Sequence, residues 1–165
     1  MSDSTMIKNG GTAMGRRGAG VLRNRTLMRL PITLYRAGLG FLFGPRMLML
    51  EHVGRKSGAR RFVALEVVAR PRPGSYVVPS GFGERSQWFR NVIAEPRVRV
   101  STGFLRSRPA TARRLTTAEA DEVLAEYIRR HPKAWRAFSE ILPTTLGEPL
   151  RLRDTNLPMI ELRLD

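Results

Sequence analysis

The amino-acid sequence predicts an α+β domain whose mostly antiparallel strands close into a small barrel. Short runs rich in β-forming residues follow one another from residue 46 onward, and glycine or proline separates them. The helical patterns are gathered apart from those runs, on the N-terminal side and in a pair before the last strand. The 165 residues suit one domain, and 42% hydrophobic with 26% charged residues is typical of a globular chain.

The N-terminal part of the chain divides into a tail and a helix. Residues 1–20 are polar and glycine-rich, and we predict a disordered tail followed by one domain over residues 21–165. Residues 21–43 are predicted to form a basic amphipathic helix with an apolar side and an arginine-rich side. Arginine and proline interrupt its apolar stretch, so it is not expected to span a bilayer. Two roles stay open for it, a lid over the core or an anchor on a membrane surface.

Local turn and cap signals set the boundaries of the other elements. The Pro-Arg-Pro-Gly run at residues 71–74 predicts a hairpin between the second and third strands. A short helix over residues 87–94 is predicted to end before Pro96, with Ser86 as its cap. The predicted strands cover residues 46–53, 61–69, 75–79, 97–102, 104–114 and 157–164.

The best-defined helix begins at a capping box. Thr116 and Glu119 have the spacing at which each side chain accepts the other's backbone amide, and an apolar stripe follows at helical spacing. This helix is predicted to end at His131, and a second one is predicted over residues 133–141. The carboxylates on the exposed side of the first helix are interpreted as solvated charges, and they are Asp121, Glu122 and Glu126.

Composition excludes several kinds of site. The chain has no cysteine, and its two histidines, His52 and His131, have few carboxylates placed to help them bind a metal. Neither histidine has a serine or acid partner in sequence, so an enzyme would need an organic cofactor, and no catalytic residue is assigned. The 29 basic and 14 acidic residues give a net charge of +15. Such a surplus implies nucleic acid, an anionic membrane, or a small ligand with several phosphates and carboxylates.

The stretch GRKSGARR at residues 54–61 lies between two predicted strands and is the first candidate site. Its two glycines permit tight or left-handed backbone that can expose successive amide donors to an anion. Its arginines match phosphate or carboxylate with paired donors, and Lys56 adds a point charge beside the Ser57 hydroxyl. A solvated basic hairpin turn has the same composition, so both interpretations stay open. The spacing of a P-loop is absent.

The second candidate site is the stretch over residues 79–91. A strand ends there in a glycine-containing loop, and a helix then opens with an aromatic pair. Gly81 and Gly83 would let the backbone approach a flat ligand closely. Trp88 either stacks on a ligand ring or fills the core, since a tryptophan at a helix start suits both environments.

The run GRKSGARR, the segment SGFGERSQWFRN and the following AEPRVRV resemble the deazaflavin-dependent nitroreductases, also called the F420H2-dependent quinone reductase family. Further similarity lies in YIRRHP at residues 127–132 and in the closing LPMIELRL, so the resemblance spans residues 48–164. It implies a split β-barrel like that of flavin-binding oxidoreductases, which agrees with the order of strands predicted above.

The resemblance also implies a cofactor, coenzyme F420, with FMN as the alternative. F420 is a deazaflavin whose tail carries a phosphodiester and an oligoglutamate, so it gives the basic turn and the charge surplus one common partner. The residues implied to hold the phosphate and tail are Arg55, Lys56, Ser57, Arg60 and Arg61. The residues implied to face or enclose the ring are Ala64, Leu65, Ser80, Gly81, Gly83, Trp88 and Asn91.

The implied reaction is hydride transfer from reduced F420 to an electrophilic acceptor, namely a quinone, an enone or a nitro compound. Positioning and exclusion of water would supply most of the catalysis. Many relatives have a longer loop with a His-Pro pair before the tryptophan, and the nitro-drug-activating members have a tyrosine-rich C-terminal region. This chain has neither feature, so cofactor binding is better supported than nitroreduction and no catalytic tyrosine is assigned.

The expected partner is a small-molecule hydride acceptor. The protein is expected to be cytoplasmic. Under the anchor interpretation, residues 21–43 also contact an anionic membrane, which gives peripheral contact at the inner membrane face. A homodimer is left open. The alternative functions are a non-catalytic F420-, flavin- or lipid-binding barrel, which would lack a roomy acceptor pocket, and a nucleic-acid-binding protein. Against the latter, the basic residues are spread along the whole chain.

Overall fold

The computed structural model describes residues 45–165. The predicted tail and the predicted amphipathic helix, residues 1–43, lie outside the described residues. None of the helices in the described part is long and apolar enough to cross a membrane. The elements in chain order are β1 (Met47–Val53), β2 (Arg60–Glu66), β3 (Ser75–Pro79), α1 (Gln87–Ala94), β4 (Arg97–Thr102), β5 (Leu105–Arg114), α2 (Thr117–Arg130), α3 (Pro132–Leu146) and β6 (Met159–Leu164).

The six strands form one curled sheet in the order β2-β1-β4-β5-β6-β3, and every pair of neighbours is antiparallel. β1 pairs with β2 along its full length, from Met47 opposite Glu66 to Val53 opposite Arg60. β2 and β3 are thus the two end strands of the sheet. The predicted α+β class and antiparallel sheet are confirmed.

The sheet closes on itself just after β2. The amide of Val67 donates to the Arg46 carbonyl at 2.7 Å, whereas the next amide, that of Val68, donates to the Val77 carbonyl of β3 at 2.9 Å. Ala69 then forms a single bridge with Val77. The chain therefore bends away from β1 and ties the first edge of the sheet to the last, which leaves β2 itself with a strand on one side only.

The hairpin predicted at residues 71–74 forms only at the end of the predicted strand 61–69, where Val68 and Ala69 bond to Val77 of β3. β2 ends at Glu66 rather than at residue 69, and its ladder of hydrogen bonds goes to β1. Only the short bridged segment after it pairs with β3. The turn signal itself depends on local residues, but it contains no information about which neighbour a strand has already acquired.

Two apolar clusters lie on the two faces of the sheet. The inner cluster fills the curl, where Leu48 and Leu50 of β1 are fully buried and α1 contributes Phe89. Alternate residues of the strands point inward, as a half-buried antiparallel sheet requires. The outer cluster lies between the sheet and the α2–α3 pair, with Leu124 of α2 and Leu142 of α3 among its buried members.

The capping box that begins α2 is confirmed. The Thr116 hydroxyl accepts the Glu119 amide at 3.2 Å, and the Glu119 carboxylate accepts the Thr116 amide at 2.8 Å. His131 ends the helix as predicted. Asp121, however, is not only a solvated charge, because its carboxylate accepts the amides of Asp154 and Thr155 at 2.8 and 2.9 Å. This carboxylate therefore fixes the loop that leads into β6.

Two further local predictions differ from the structure. α3 runs from Pro132 to Leu146 instead of 133–141, because a proline at the first position needs no amide partner and the helix tolerates Pro143 in its last turns. It ends at Gly147, whose φ of 82° is the left-handed conformation common after a helix. Ser86 precedes α1 as expected, but its side chain makes no capping hydrogen bond.

A buried carboxylate holds β3, β5 and β6 together. The side chain of Glu161 on β6 is 3% exposed. It accepts hydrogen bonds from Ser75 at 2.6 Å, from Arg72 at 3.0 Å and from Arg113 at 2.7 Å. Burial alone would raise the pKa of this carboxyl, but the bonds from Ser75 and Arg113 outweigh it and lower the pKa to about 2.

We expect Glu161→Gln to destabilise the fold at neutral pH. A carboxyl whose pKa is lowered in the folded state stabilises that state when the pH is above the carboxyl's pKa in the unfolded chain. Its contribution of about 2–3 kcal/mol to the free energy of unfolding is therefore lost as the pH falls from about 5 to 2. Urea denaturation at pH 7 and at pH 3 measures the free energy of unfolding of the unmodified protein and of the variant. An equal loss of stability in the variant at both pH values would contradict this account. Glu95→Gln, at an exposed pair with Arg97, is the control and should leave the unfolding midpoint unchanged.

Candidate functional site

The basic turn at residues 54–61 folds around its own backbone. The Gly54 amide donates to the Ala59 carbonyl at 2.8 Å, and the Gly54 carbonyl accepts the amides of Ser57 and Gly58 at 3.2 and 2.7 Å. The Ala59 amide donates to the Ser57 hydroxyl at 3.3 Å. Gly58 has a φ of 66°, which explains a glycine there. The expectation that the turn exposes successive amide donors is therefore wrong, because the amides of Gly54, Ser57, Gly58 and Ala59 are used inside it and that of Arg55 donates to Asn91.

Anion recognition at this turn thus belongs to its side chains, which are exposed. Arg60 forms an ion pair with Glu51 at 3.3 Å while its side chain stays 77% exposed. Within the described part of the chain, Lys56 and Arg61 have no carboxylate within ion-pair distance. Four basic side chains and one neutralising carboxylate leave a local positive surplus in which a polyanion is favoured.

Arg55 is held against α1. Its backbone amide donates to Asn91 Oδ1 at 3.2 Å, and its Nη1 donates to the same oxygen at 2.9 Å and to Gln87 Oε1 at 3.1 Å. Asn91 is 3% exposed, so the amide that anchors Arg55 is itself fixed by packing. The structure therefore brings two of the predicted site residues, Arg55 and Asn91, into direct contact.

Asn91 is bonded in turn to a buried histidine of β1. Its Nδ2 lies 3.3 Å from Nδ1 of His52, which is 4% exposed. Burial and then the positive charge of Arg61 lower the pKa of His52 to about 4, against a smaller opposing effect of a hydrogen bond with the Val53 backbone. The imidazole is therefore neutral at pH 7, and in the tautomer that carries its proton on Nε2 its Nδ1 accepts the Asn91 proton.

An apolar cavity of about 250 Å³ lies at the other end of β2. It opens between the outer side of the β2 and β3 edges and the α2–α3 pair. Three predicted ring-facing residues, Ala64, Leu65 and Gly81, line it together, and Trp135 and Phe138 of α3 form part of the opposite wall. The cavity is thus bounded by strand backbone on one side and by aromatic side chains on the other.

A chain of polar groups borders this cavity. The Tyr127 hydroxyl donates to Glu66 Oε1 at 3.0 Å, and Arg46 pairs with the same oxygen at 3.1 Å. Burial, followed by the charge of Glu66, raises the pKa of Tyr127 to about 12. Tyr127 therefore keeps its proton, and its side chain supplies a neutral polar edge to an apolar pocket.

The remaining predicted residues sit at the loop after β3 and in the core. Ser80 is fully buried and its hydroxyl donates to the Gly83 carbonyl at 2.7 Å. Gly83 is buried with a φ of 65°, and a Cβ there would lie 3.6 Å from Leu146. Trp88 belongs to the inner cluster, packed edge-on against Phe89. These side chains shape the loop and the barrel behind the cavity, and none of the three lines it.

A larger open hollow of about 860 Å³ lies beyond the 83–85 turn. Of the predicted site residues only Gly83 reaches it. Two of its three arginines serve the fold: Arg85 donates to the carbonyls of Thr145 and Leu146 at the end of α3, and Arg114 pairs with Glu84. The apolar cavity, rather than this hollow, adjoins the predicted residues.

Several residues of the site were missed from the sequence. His52 was not predicted as the partner of Asn91, because the two are 39 positions apart and no local pattern joins them. Gln87 faces Arg55 only because α1 lies across the turn. Trp135 and Phe138 have the three-residue spacing of one helix face, and that spacing was an available signal for an aromatic wall.

Comparison with known sequences points to one family. A family model described as F420H(2)-dependent quinone reductase matches residues 22–141. A Mycobacterium tuberculosis protein, Rv3178, whose own assignment as an F420H(2)-dependent quinone reductase is provisional, is 38% identical over 89 residues. That match covers 53% of this chain and 71% of the relative.

An F420-H2 dependent reductase, FDR-A, is similar in structure and aligns over 72% of this chain and 94% of its own length, with 24% identity and a TM-score of 0.49. Two further solved structures support the fold. HutZ of Vibrio cholerae, described as a heme storage protein, aligns over 84% and 92% with 16% identity and a TM-score of 0.50. A Clostridium acetobutylicum protein of the pyridoxinephosphate oxidase family aligns over 80% and 84% with 6% identity and a TM-score of 0.50. The predicted split-barrel fold, of the flavin-reductase-like kind, is confirmed.

We expect the ring of His52 to titrate far below an ordinary histidine. Its lowered pKa means that the neutral form persists as the pH falls from 7 to about 5, and that protonation sets in near pH 4. The NMR shift of its Cε1 resonance, followed from pH 7.5 to 4, measures the midpoint. The same resonance in the urea-unfolded chain is the control and should titrate near pH 6.5. A folded-state midpoint near that value would contradict the buried, neutral ring.

Proposed function

This chain belongs to the F420H(2)-dependent quinone reductase family and is an F420H2-dependent oxidoreductase. From that premise we propose that the basic turn holds the F420 tail and that the apolar cavity receives the acceptor, a quinone. One observation carries this proposal: both features lie along the single strand β2, with Arg60 at the turn and Ala64 at the cavity. Four residues of extended chain span about 13 Å, so one elongated ligand can touch both.

The residues present suit the cofactor that the family requires. The tail of F420 is polyanionic, and the turn offers four basic side chains that are largely exposed. A flat ring must come close to the backbone. Ala64 and Gly81 allow this, because on the strand side of the cavity their side chains are short or absent and do not cover the backbone. A Cβ on Gly81 would lie 3.7 Å from Leu142, which shows how little depth separates the strand side from α3.

Reduced F420, when bound, supplies the hydride. The chain's own part is to bind and to orient. The turn would hold the charged end of the cofactor through ion pairs, and Ala64, Leu65 and Gly81 would meet its ring. An acceptor would lie next to that ring and against the aromatic side chains of α3, a geometry that converts an encounter in solution into a reaction between held partners. The apolar lining excludes water from the reacting atoms.

The cavity favours a quinone over a charged acceptor. Trp135 and Phe138 offer aromatic surface to a planar ring, and the carbonyl oxygens of a quinone need few polar partners. A cavity of this kind also argues against the non-catalytic binder, which would need no room for an acceptor.

Two earlier predictions concern surfaces outside this site. Contact of residues 21–43 with an anionic membrane falls outside the described residues and stays a prediction. Pairing into a homodimer likewise stays a prediction.

We expect the double variant Lys56→Ala, Arg60→Ala to bind F420 more than tenfold more weakly, since each charge-assisted contact contributes about 1.5–3 kcal/mol. Fluorescence titration with F420 at moderate salt measures the affinity. The control is the double variant Arg129→Ala, Arg130→Ala, which also removes two positive charges but at the end of α2. Unchanged affinity in the turn variant, or an equal loss in the control, would show that the turn is only a solvated hairpin.

We expect Trp135→Ala to raise the KM for a naphthoquinone about fivefold or more while leaving F420 affinity unchanged, because it removes aromatic surface from the acceptor wall only. Steady-state oxidation of F420H2 gives KM, and titration gives the affinity. Leu152→Ala, at an exposed site outside the cavity, is the control. A loss of F420 affinity with an unchanged KM would place the cofactor, not the acceptor, against α3.

A further inference from the structure

The basic residues of the turn differ in how firmly they are held. Arg55 makes three hydrogen bonds to the side-chain oxygens of Gln87 and Asn91. No comparable bond from a side-chain amide holds Lys56, Arg60 or Arg61 in the described part of the chain. Arg55 is therefore the one cation of the turn whose position is set by α1 rather than by its own torsion angles.

The bonds that hold Arg55 use only one side of its guanidinium. Both side-chain bonds leave from Nη1. Within the described residues, no protein acceptor takes its Nε or Nη2 protons, and the residue is exposed. The Nε–Nη2 edge is the one that presents two parallel donors to a carboxylate or a phosphate. The held arginine thus keeps a two-donor edge for an anion.

Asn91 can hold Arg55 in only one orientation of its own amide. Its Oδ1 must face Arg55, because the opposite orientation would place NH2 donors against a guanidinium that has only donors. His52 is compatible with this orientation, since its Nδ1 lies 3.3 Å from Asn91 Nδ2. The neutral ring accepts that proton in the tautomer that carries its own hydrogen on Nε2.

We propose that His52 and Asn91 are positioning residues that set Arg55 to recognise the phosphate of the F420 tail. This inference rests on the proposed function. It assigns Asn91, which sequence reasoning placed beside the ring, to the tail end of the site through Arg55, and it adds a histidine with no contact to the cofactor.

A positioning role of His52 and Asn91 and a purely structural role have different effects on ligand binding. Loss of structure would weaken the binding of every ligand and lower the melting temperature. Loss of Arg55 orientation would weaken only ligands that carry the phosphate. The tail-less deazaflavin, which lacks the phosphodiester and the glutamates, is therefore the comparison ligand.

The experiment titrates F420 and the tail-less deazaflavin into the full chain and into variants. Arg55→Ala should weaken F420 about tenfold, and His52→Leu about three- to tenfold, with the tail-less ligand unchanged for both. His52→Gln should restore most of the affinity, since a glutamine oxygen can accept the Asn91 proton. In the Arg55→Ala background, His52→Leu should cause no further loss, because it acts through Arg55.

An equal loss of affinity for both ligands, or additive losses of F420 affinity in the double variant, would overturn the positioning role while leaving the proposed function in place. If His52→Leu does not fold, Gln87→Leu at the exposed partner of Nη1 is the second variant. It should weaken F420 alone, and unchanged binding would overturn the inference. Failure of the unmodified chain to bind F420 would overturn the proposed function and the inference with it.

Discussion

The bend of the chain after Glu66 is the constraint on which the rest of the structure depends. At that point the backbone stops pairing with β1 and begins to pair with β3, through the amides of Val67 and Val68. The switch closes the sheet and encloses the inner cluster. The change of partner occurs only after the last residue of β2, so the seven residues of β2 keep one edge without a strand neighbour. An exposed edge of this kind must be covered or used, and here the cavity and the basic turn lie at its two ends.

Arginine serves two opposite electrostatic purposes in this molecule. Around Glu161, the charges of Arg72 and Arg113 are matched to a buried carboxylate, and the result is a link between β3, β5 and β6. At the turn, the same residue type is left without enough acid, so its charge is available to a ligand. The net charge of +15 is therefore less informative than its placement. What matters is where the basic side chains lack carboxylates within reach.

Sequence reasoning succeeded where the signal was local and failed where it depended on a neighbour across the fold. The strand over residues 75–79 and the helix over residues 87–94 have the predicted bounds, since flanking prolines and glycines mark their ends. The predicted pairing with β3 holds only at residues 68 and 69, and β2 itself pairs with β1, because the order of strands depends on long-range contacts rather than on a turn. The exposed amides expected at the turn were also wrong, since nothing in GRKSG reveals that its carbonyl at Gly54 accepts two of them. The bond between His52 and Asn91 joins two elements that only the barrel brings together.

Arg55 is held by hydrogen bonds to α1, whereas Lys56 and Arg61 are not, and this difference suits the two parts of the F420 tail. The phosphodiester is a single compact anion, so a pre-positioned guanidinium loses little conformational entropy when it binds this group. An oligoglutamate tail is flexible, and a fixed array of cations would match only one of its conformations. Lys56 and Arg61, exposed and unpaired with acid among the described residues, can follow the tail instead. The buried neutral histidine behind Asn91 belongs to the rigid half of this arrangement, because any charge on it would repel the guanidinium that it helps to place.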